Sequence, residues 1–236
     1  MQKRLSLIST VVLLFFVLGL CGCAGGGIKM EYKPKVGEKF KYRTKLTQKM
    51  DTPMGNMNMV VTVDMEQKTL KVNGDEIEYN YKVLSSSASM NGKKVNVPKS
   101  PDQKIVMDKS GRVIKADNSA MKLNFPMPSK KIKVGDTWKN SDKVELEKGV
   151  TLNVDCTYKL VELKKENDRD IAVVDANVVG EAEKDGVTIK CEGTGNTKFD
   201  YNAGVLVKSE VKQKITISHE GESMPMEQDM VFELIK

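Results

Sequence analysis

The sequence predicts a mainly β protein made of antiparallel meanders, and three of its features support this fold class. Apolar and polar residues alternate with a period of two in runs of about eight to fifteen residues, as in strands that bury one face. Asn-Gly, Asp-Gly and Ala-Gly dipeptides separate the runs and favour tight turns. An opening motif, Lys35 to Lys41, returns as Lys133 to Lys139. We therefore expect two pseudo-repeated units that form a curved sheet, a sandwich or an open barrel.

The first β unit is predicted over residues 34–123. Its first run places Phe40, Tyr42 and Leu46 on one face and a row of Lys and Arg side chains on the other. The runs that follow alternate in the same way, and they are Met57 to Met65, Ile77 to Val83, Ile105 to Met107 and Val113 to Ala116. This succession of runs and turns predicts a β-meander.

The second β unit is predicted over residues 133–236, after a connection over residues 124–132. The connection contains Pro126 and Pro128, which lack the backbone N–H group that a central strand must donate. The second unit has the clearer alternation, in the runs Leu152 to Leu160, Ala172 to Val178, Val187 to Gly193, Val205 to Ile217 and Met224 to Leu234. Each run is expected to present its apolar side to one buried face.

Cys156 and Cys191 form an even pair in a chain that is expected to be exported, which favours a disulfide between them. Simple meander order, however, places the strand from Ala172 to Val178 between the two cysteines. Neighbouring strands lie about 4.8 Å apart, so the two residues would be about twice that distance from each other, beyond bonding reach. Either the sheet folds so that the two strands meet, or both thiols are buried without a bond.

The N-terminus has the organisation of an export signal. A positive start, Met1 to Arg4, precedes an apolar segment from Leu7 to Leu20, which is too short for a membrane-spanning helix of about 20 residues. The residues Leu20-Cys21-Gly22-Cys23 then resemble the lipobox of bacterial lipoproteins. The resemblance implies that residues 1–22 are a signal peptide, that the Cys23 thiol carries diacylglycerol, and that the new amine of Cys23 is acylated.

Lipidation at Cys23 predicts a protein anchored in the cell membrane or the outer membrane, facing the periplasm or the exterior. One acyl chain holds a protein to a bilayer only weakly, whereas two or three form a lasting anchor. Residues 23–33 are expected to be the lipidated cysteine and a flexible tether, because Gly25 to Gly27 follow at once. Cys21 is the alternative acceptor, but Leu20 is too large for the position before it. A stop-transfer anchor or a signal peptide cut elsewhere would leave Cys23 without a lipid.

The charge pattern limits the partners. The formal net charge is +6, and Lys and Glu residues are spread along the chain rather than gathered. No basic run carries interleaved aromatic residues, so nucleic acid is not an expected partner. The expected partners are the membrane, through lipidated Cys23, and an unidentified protein or lipid ligand.

Methionines are grouped in two parts of the sequence, Met50, Met54, Met57 and Met59 in the first unit and Met224, Met226 and Met230 in the second. Flexible Met side chains suit apolar surfaces that accept different ligands, so candidates for the lining of a groove are Met54, Met57, Met59, Met224, Met226 and Met230. A curved sheet lined in this way resembles the open half-barrels of periplasmic lipid and lipoprotein carriers. Thioethers also bind Cu(I), so an alternative site for that ion consists either of Met224, Met226 and Met230 or of Met54, Met57 and Met59. Ordinary core packing is the third role.

The sequence carries no pattern that indicates catalysis, such as a Gly-rich phosphate loop or a Gly-x-Ser-x-Gly elbow. The one histidine, His219, is expected at the surface, and Asp108, Asp136 and Asp200 are expected to shape turns. We therefore expect a non-catalytic binding or scaffolding module of the cell envelope that needs no cofactor. A periplasmic Cu(I)-binding protein is the alternative, and a hydrolase without a recognisable motif is a third class.

Overall fold

The protein forms a single antiparallel β-sheet in a computed structural model that describes residues 26–52, 55–98, 100–117, 125–145 and 150–235. Within these ranges no helix is long and apolar enough to cross a membrane. The strands are β1 (Lys39–Thr52), β2 (Gly55–Asn73), β3 (Glu76–Met90), β4 (Lys93–Val95), β5 (Gln103–Asp108), β6 (Val113–Ala116), β7 (Thr137–Glu145), β8 (Thr151–Glu166), β9 (Arg169–Lys184), β10 (Val187–Asp200), β11 (Val205–His219) and β12 (Glu222–Ile235).

The two predicted units occupy one half of the sheet each. The strand order is β6-β5-β3-β2-β1-β12-β11-β10-β9-β8-β7, and β4 pairs with β3 outside this path. The halves meet where β1 pairs with β12, from Lys41 opposite Ile235 to Met50 opposite Met226. Followed from β7 to β6, the sheet passes through the strands of the second unit and then through those of the first, in both cases in chain order. The sheet is open, with β6 and β7 at its edges. The mainly β fold class is confirmed as one curved open sheet rather than a sandwich.

The repeated opening motif forms the same turn in both units. The backbone amides of Gly37 and Gly135 donate to the carbonyl oxygens of Thr69 (2.9 Å) and Leu160 (2.8 Å), and a β-bulge follows each acceptor. A carboxylate also closes each turn by accepting a 2.9 Å hydrogen bond from the backbone amide three residues earlier, Glu38 from Lys35 and Asp136 from Lys133. The motif therefore has one structural role at two places, as a duplicated unit predicts.

The contacts of Tyr32 reveal how strongly the sheet curves. The Tyr32 ring packs edge-on against Phe199 of β10, with ring centroids 5.4 Å apart, and it also packs against Ile77, Tyr79 and Met107 of β3 and β5. In the strand order β3 and β10 are five positions apart, which is about 24 Å in a flat sheet. One tyrosine side chain cannot bridge that distance, so the sheet must wrap around it. We call the side that carries these residues the inner face.

Two extended segments fill one end of the inner face. We call residues 26–36 the strap and residues 125–132 the connecting segment; they pair through two hydrogen bonds between Ile28 and Ile132, of 2.8 and 2.9 Å. Met30 and Ile132 are each only 1% exposed. The core that these segments complete contains Met30, Met127, Ile132, Tyr158, Leu160, Ala172, Val174 and Phe199. We call this the strap end of the sheet.

The strap changes one expectation from the sequence, and the connecting segment confirms another. Residues 28–33 were expected to belong to a flexible tether, yet Met30 and Tyr32 are packed in the core, so the tether is shorter than predicted. Glycines at residues 25–27 suggested flexibility, but the alternation of Ile28, Met30 and Tyr32 is that of a strand burying one side. The proline-containing connection lies outside the sheet, as expected, and packs onto it: the Trp138 indole donates to the Pro126 carbonyl (3.0 Å).

Two turns, one from each unit, hold the strap. The Tyr32 amide donates to the Lys109 carbonyl in the β5–β6 turn (2.9 Å), and the Lys33 amide donates to the Gly204 carbonyl in the β10–β11 turn (3.3 Å). Each turn is shaped by an aspartate whose side chain accepts backbone N–H groups, as the sequence predicts: Asp108 from Ser110 and Arg112, and Asp200 from Ala203. The strap therefore ties together the two halves of the sheet, whose described strands pair with each other at β1 and β12.

Tyrosines packed on the inner face should make the fold sensitive to alkaline pH. Burial raises the pKa of the phenols of Tyr32, Tyr42, Tyr79, Tyr81 and Tyr158 above the usual value of 10.0. Because these pKa values are higher in the folded state, their contribution to stability is complete below about pH 10 and is lost as the pH rises further. We expect phenolate absorbance and loss of the far-UV circular dichroism signal to rise together above that pH. Phenolate absorbance from most of the tyrosines at pH 10 with native circular dichroism would contradict this burial.

Candidate functional site: the methionine-lined inner face

Away from the strap end, the inner face is apolar and only half-buried. Met50 of β1 lies opposite Met57 of β2 on one side and Met226 of β12 on the other. The line continues through Ile215 of β11 to Cys191 of β10. Directly opposed residues point to the same side of a sheet, so these side chains form one row across five strands. We call Met57, Met50 and Met226 the methionine row.

The remaining candidate methionines surround this row. Met59 lies opposite Met90, Met224 lies opposite Ile217, and Met230 lies opposite both Leu46 and Val211. Met54 lies outside the described residues. The two methionine groups, which are far apart in the sequence, thus come together because β1 pairs with β12.

Burial falls along the inner face from the strap end to the methionine row. At the strap end Leu160, Val174 and Phe199 are fully buried, whereas the three residues of the methionine row are half-buried and Met224 is 37% exposed. A contiguous apolar surface left partly open to solvent marks an interaction site more often than it marks a core. These methionines are therefore less buried than the core at the strap end.

A row of glutamines crosses this apolar surface between the methionine row and the strap end. Gln48 of β1 lies opposite Gln228 of β12, which lies opposite Gln213 of β11. The Gln213 side-chain amide donates to the Gln228 oxygen (3.0 Å), the Cys191 thiol donates to the Gln213 oxygen (3.3 Å), and the Gln48 amide contacts the Met226 sulfur. We call these three residues the glutamine row. Sequence reasoning missed it, because a single Gln on a strand carries no signal until the register is known.

Beside the glutamine row, three inner-face positions are occupied by glycines, which have no side chain to fill the space above the sheet. Gly193 of β10 lies opposite Gln213, and a Cβ atom placed on it would lie 2.8 Å from the Gln213 Cβ. Gly195 lies two residues further along the same strand, and Gly180 of β9 lies opposite Cys191. The missing side chains leave room for Gln213 to lie against β10 and deepen the face at this point.

The cysteines lie on the inner face with β9 between them. Cys191 lies opposite Gly180, and Cys156 of β8 lies opposite Val178, as the meander order predicts. Both are free in this structure. Burial raises the pKa of both thiols, so each is protonated at neutral pH and can donate a hydrogen bond. The disulfide stays a prediction.

The outer face is charged. Arg43 donates to both carboxylate oxygens of Asp64 (2.7 and 2.8 Å), and this contact lowers the pKa of the Asp64 carboxyl. A cleft of about 760 Å³ at the strap end is lined by apolar side chains together with charged groups that include Lys41, Arg169 and Glu166. An apolar ligand there would have to remove water from these charged groups, whereas the methionine and glutamine rows carry no charge, so we place the candidate site on the inner face rather than in this cleft.

His219 and the acidic residues do not form a metal site in the described part of the chain. The His219 side chain is 54% exposed, as the sequence predicts. Across the ranges that the structure describes, no three His, Cys, Asp or Glu side chains are grouped so that they could hold a metal ion. These residue types do not include methionine, whose thioether sulfur the methionine row could offer to a metal ion.

Comparisons with known proteins give little guidance. Residues 115–205, from the end of β6 to the start of β11, match a family of unknown function (DUF6263). No curated protein matches the chain. Among solved structures, a domain described as an outer membrane lipoprotein-sorting protein from Vibrio parahaemolyticus is 11% identical over 83% of this chain and 85% of that chain, with a TM-score of 0.20. A TM-score this low supports no argument about this chain.

Proposed function

We propose that this protein is a lipid-anchored, non-catalytic lipoprotein of the cell envelope whose inner face binds the acyl chain of a lipid. The observation that supports this proposal most directly is the half-buried methionine row near the end of the curved apolar face that the strap leaves open. Met side chains are flexible and polarisable, so they can adapt to an acyl chain that has no fixed shape. The strap fills the other end of the face and would set how far a chain can enter.

The predicted anchor would hold this face near a bilayer. Ile28 is the first residue of the strap with backbone hydrogen bonds to the rest of the domain, and it lies five residues after Cys23. An extended chain spans at most about 3.5 Å per residue, so the anchor and the folded domain would be separated by about 17 Å or less. A domain held this close could exchange acyl chains with the membrane surface.

Cu(I) binding is the second candidate function, and one observation favours it. Met57, Met50 and Met226 lie side by side on three adjacent strands, so the outer two backbones are about 10 Å apart with Met50 between them. Long flexible side chains can converge across that distance, and three thioethers are a ligand set that Cu(I) accepts. In this case the methionine row would hold an ion rather than a chain.

Native mass spectrometry of the chain from Gly25 onward, purified from a bacterial periplasm, separates these functions. Every structural contact described above is made within residues 26–235, so this chain keeps them all. We expect an added lipid-sized mass that disappears on denaturation. A copper-sized addition would support the second function instead. Protein alone, even after incubation with phospholipid vesicles, would contradict lipid binding, and a two-dalton deficit would reveal the Cys156–Cys191 bond.

A further inference from the structure

We infer that the ligand of the inner face is an acyl chain attached through a secondary amide, recognised by the glutamine row. This inference rests on the proposed function and deepens it. Three amide side chains on an otherwise apolar surface are costly to cover unless the ligand satisfies them, because an unpaired buried polar group destabilises a complex. The hydrogen-bond donors and acceptors that the glutamine row leaves unpaired therefore indicate which groups the ligand carries.

The hydrogen bonds of the row fix which end of each amide is open. The protonated Cys191 thiol donates to the Gln213 oxygen, so the Gln213 amino group faces Gln228 and donates to the Gln228 oxygen. The Gln228 amino group is then left to donate. The Met226 sulfur can only accept, so the Gln48 amino group faces it and the Gln48 oxygen is left to accept. Among the described residues, neither the Gln228 amino group nor the Gln48 oxygen has a hydrogen-bond partner.

These two open groups belong to directly opposed residues. Gln48 and Gln228 are partners in the β1–β12 register, so their Cβ atoms are about 5 Å apart. A secondary amide between them can accept from Gln228 through its carbonyl and donate to Gln48 through its N–H. An ester or a carboxylate has no N–H group, and either would leave the Gln48 oxygen covered and unpaired.

The surrounding residues indicate where the acyl chain lies. On the strap side of the glutamine row, the next row of Leu46, Met230 and Val211 is half-buried like the methionine row, but beyond it the face closes at Tyr42, which is buried. On the other side the half-exposed methionine row is open. A chain whose amide sits at Gln48 and Gln228 would therefore lie over the methionine row.

The test compares two ligands that differ only in the linking group, N-methylpalmitamide and methyl palmitate. Each displaces a fluorescent fatty-acyl probe from the chain that begins at Gly25. We expect the amide to bind about tenfold more tightly than the ester, since the ester leaves one acceptor unpaired. Gln48→Leu should remove this preference by weakening amide binding, whereas Thr44→Val, on the same face of β1, should preserve it.

The variant Cys191→Ala tests whether the Cys191 thiol orients the glutamine row or only lines the groove. Without the thiol, Gln213 and Gln228 are free to flip, so the preference for the amide should fall although Cys191 lies two strands away from the methionine row. Equal binding of amide and ester by the unaltered chain, or an unchanged preference in Gln48→Leu, would overturn the inference while leaving the proposed function in place. Failure of both ligands to displace the probe would overturn the proposed function itself.

Discussion

Gly204→Ala should lower the free energy of unfolding by roughly 3 kcal/mol, the largest stability effect that we expect from a single methyl group in this chain. Gly204 has a φ of +69°, a conformation that costs a residue with a Cβ atom about 1 kcal/mol or more. The added Cβ would also lie 2.7 Å from the Glu31 carbonyl oxygen and against the Lys33 amide nitrogen. Both are backbone atoms of the strap, so neither can move aside without displacing it, and such overpacking costs about 1 to 3 kcal/mol.

Gly221→Ala is the matched control for this experiment. Gly221 also has a positive φ, +86°, but nothing lies within 4 Å of a Cβ placed there. It should therefore show only the conformational cost of about 1 kcal/mol. Urea unfolding followed by circular dichroism measures both variants. Equal destabilisation of the two variants would mean that the strap does not contribute to stability at the β10–β11 turn.

The expected effect is large because the strap joins distant parts of the sheet. Tyr32 touches both core clusters, one in each unit. If the strap shifts, the packing of Phe199 on one side and of Tyr79 on the other is lost together. A variant in the β10–β11 turn should then also destabilise the first unit, and hydrogen exchange of the β3 amides would detect it.

Most of the strands and their buried faces could be predicted from the sequence, because local alternation carries that information. Tyr42 is buried and Arg43 faces solvent, as the run from Phe40 to Leu46 predicts. The exception is the run from Val205 to Ile217, which was expected to keep one face. The register shifts between Lys198 and Phe199, so Leu206 rather than Val207 lies opposite Phe199. Val207 is therefore the extra residue of a β-bulge in this strand itself, and strict alternation of apolar residues gives no sign of a bulge.

The pairing of β1 with β12 could not be predicted, because it joins residues about 180 positions apart in the chain. The methionine groups were recognised separately, but only this pairing makes Met50 and Met226 neighbours. The glutamine row depends on it in the same way, since Gln48 and Gln228 belong to different units. Single positions on a strand become a site only when the register of distant strands is known.

Met50→Asp should weaken acyl-chain binding at least about a hundredfold. Met50 is the middle residue of the methionine row, with Met57 and Met226 as direct partners. A bound chain would cover a carboxylate there without giving it a partner, and such burial costs several kcal/mol, where about 1.4 kcal/mol corresponds to a tenfold change. The fold should tolerate the change, because Met50 is half-buried in the ligand-free protein. Titration with a fluorescent fatty-acyl probe measures the affinity.

Two further variants determine what that loss means. Asn58→Asp adds the same charge on the outer face of β2, where Asn58 is exposed, and it should leave binding unchanged. Met50→Leu keeps the apolar volume but removes the sulfur, so acyl-chain affinity should change by less than about threefold. A metal site would respond differently, because Leu cannot coordinate Cu(I). Loss of binding in Asn58→Asp would point to a general charge effect, whereas Cu(I) binding abolished by Met50→Leu would assign the methionine row to the metal.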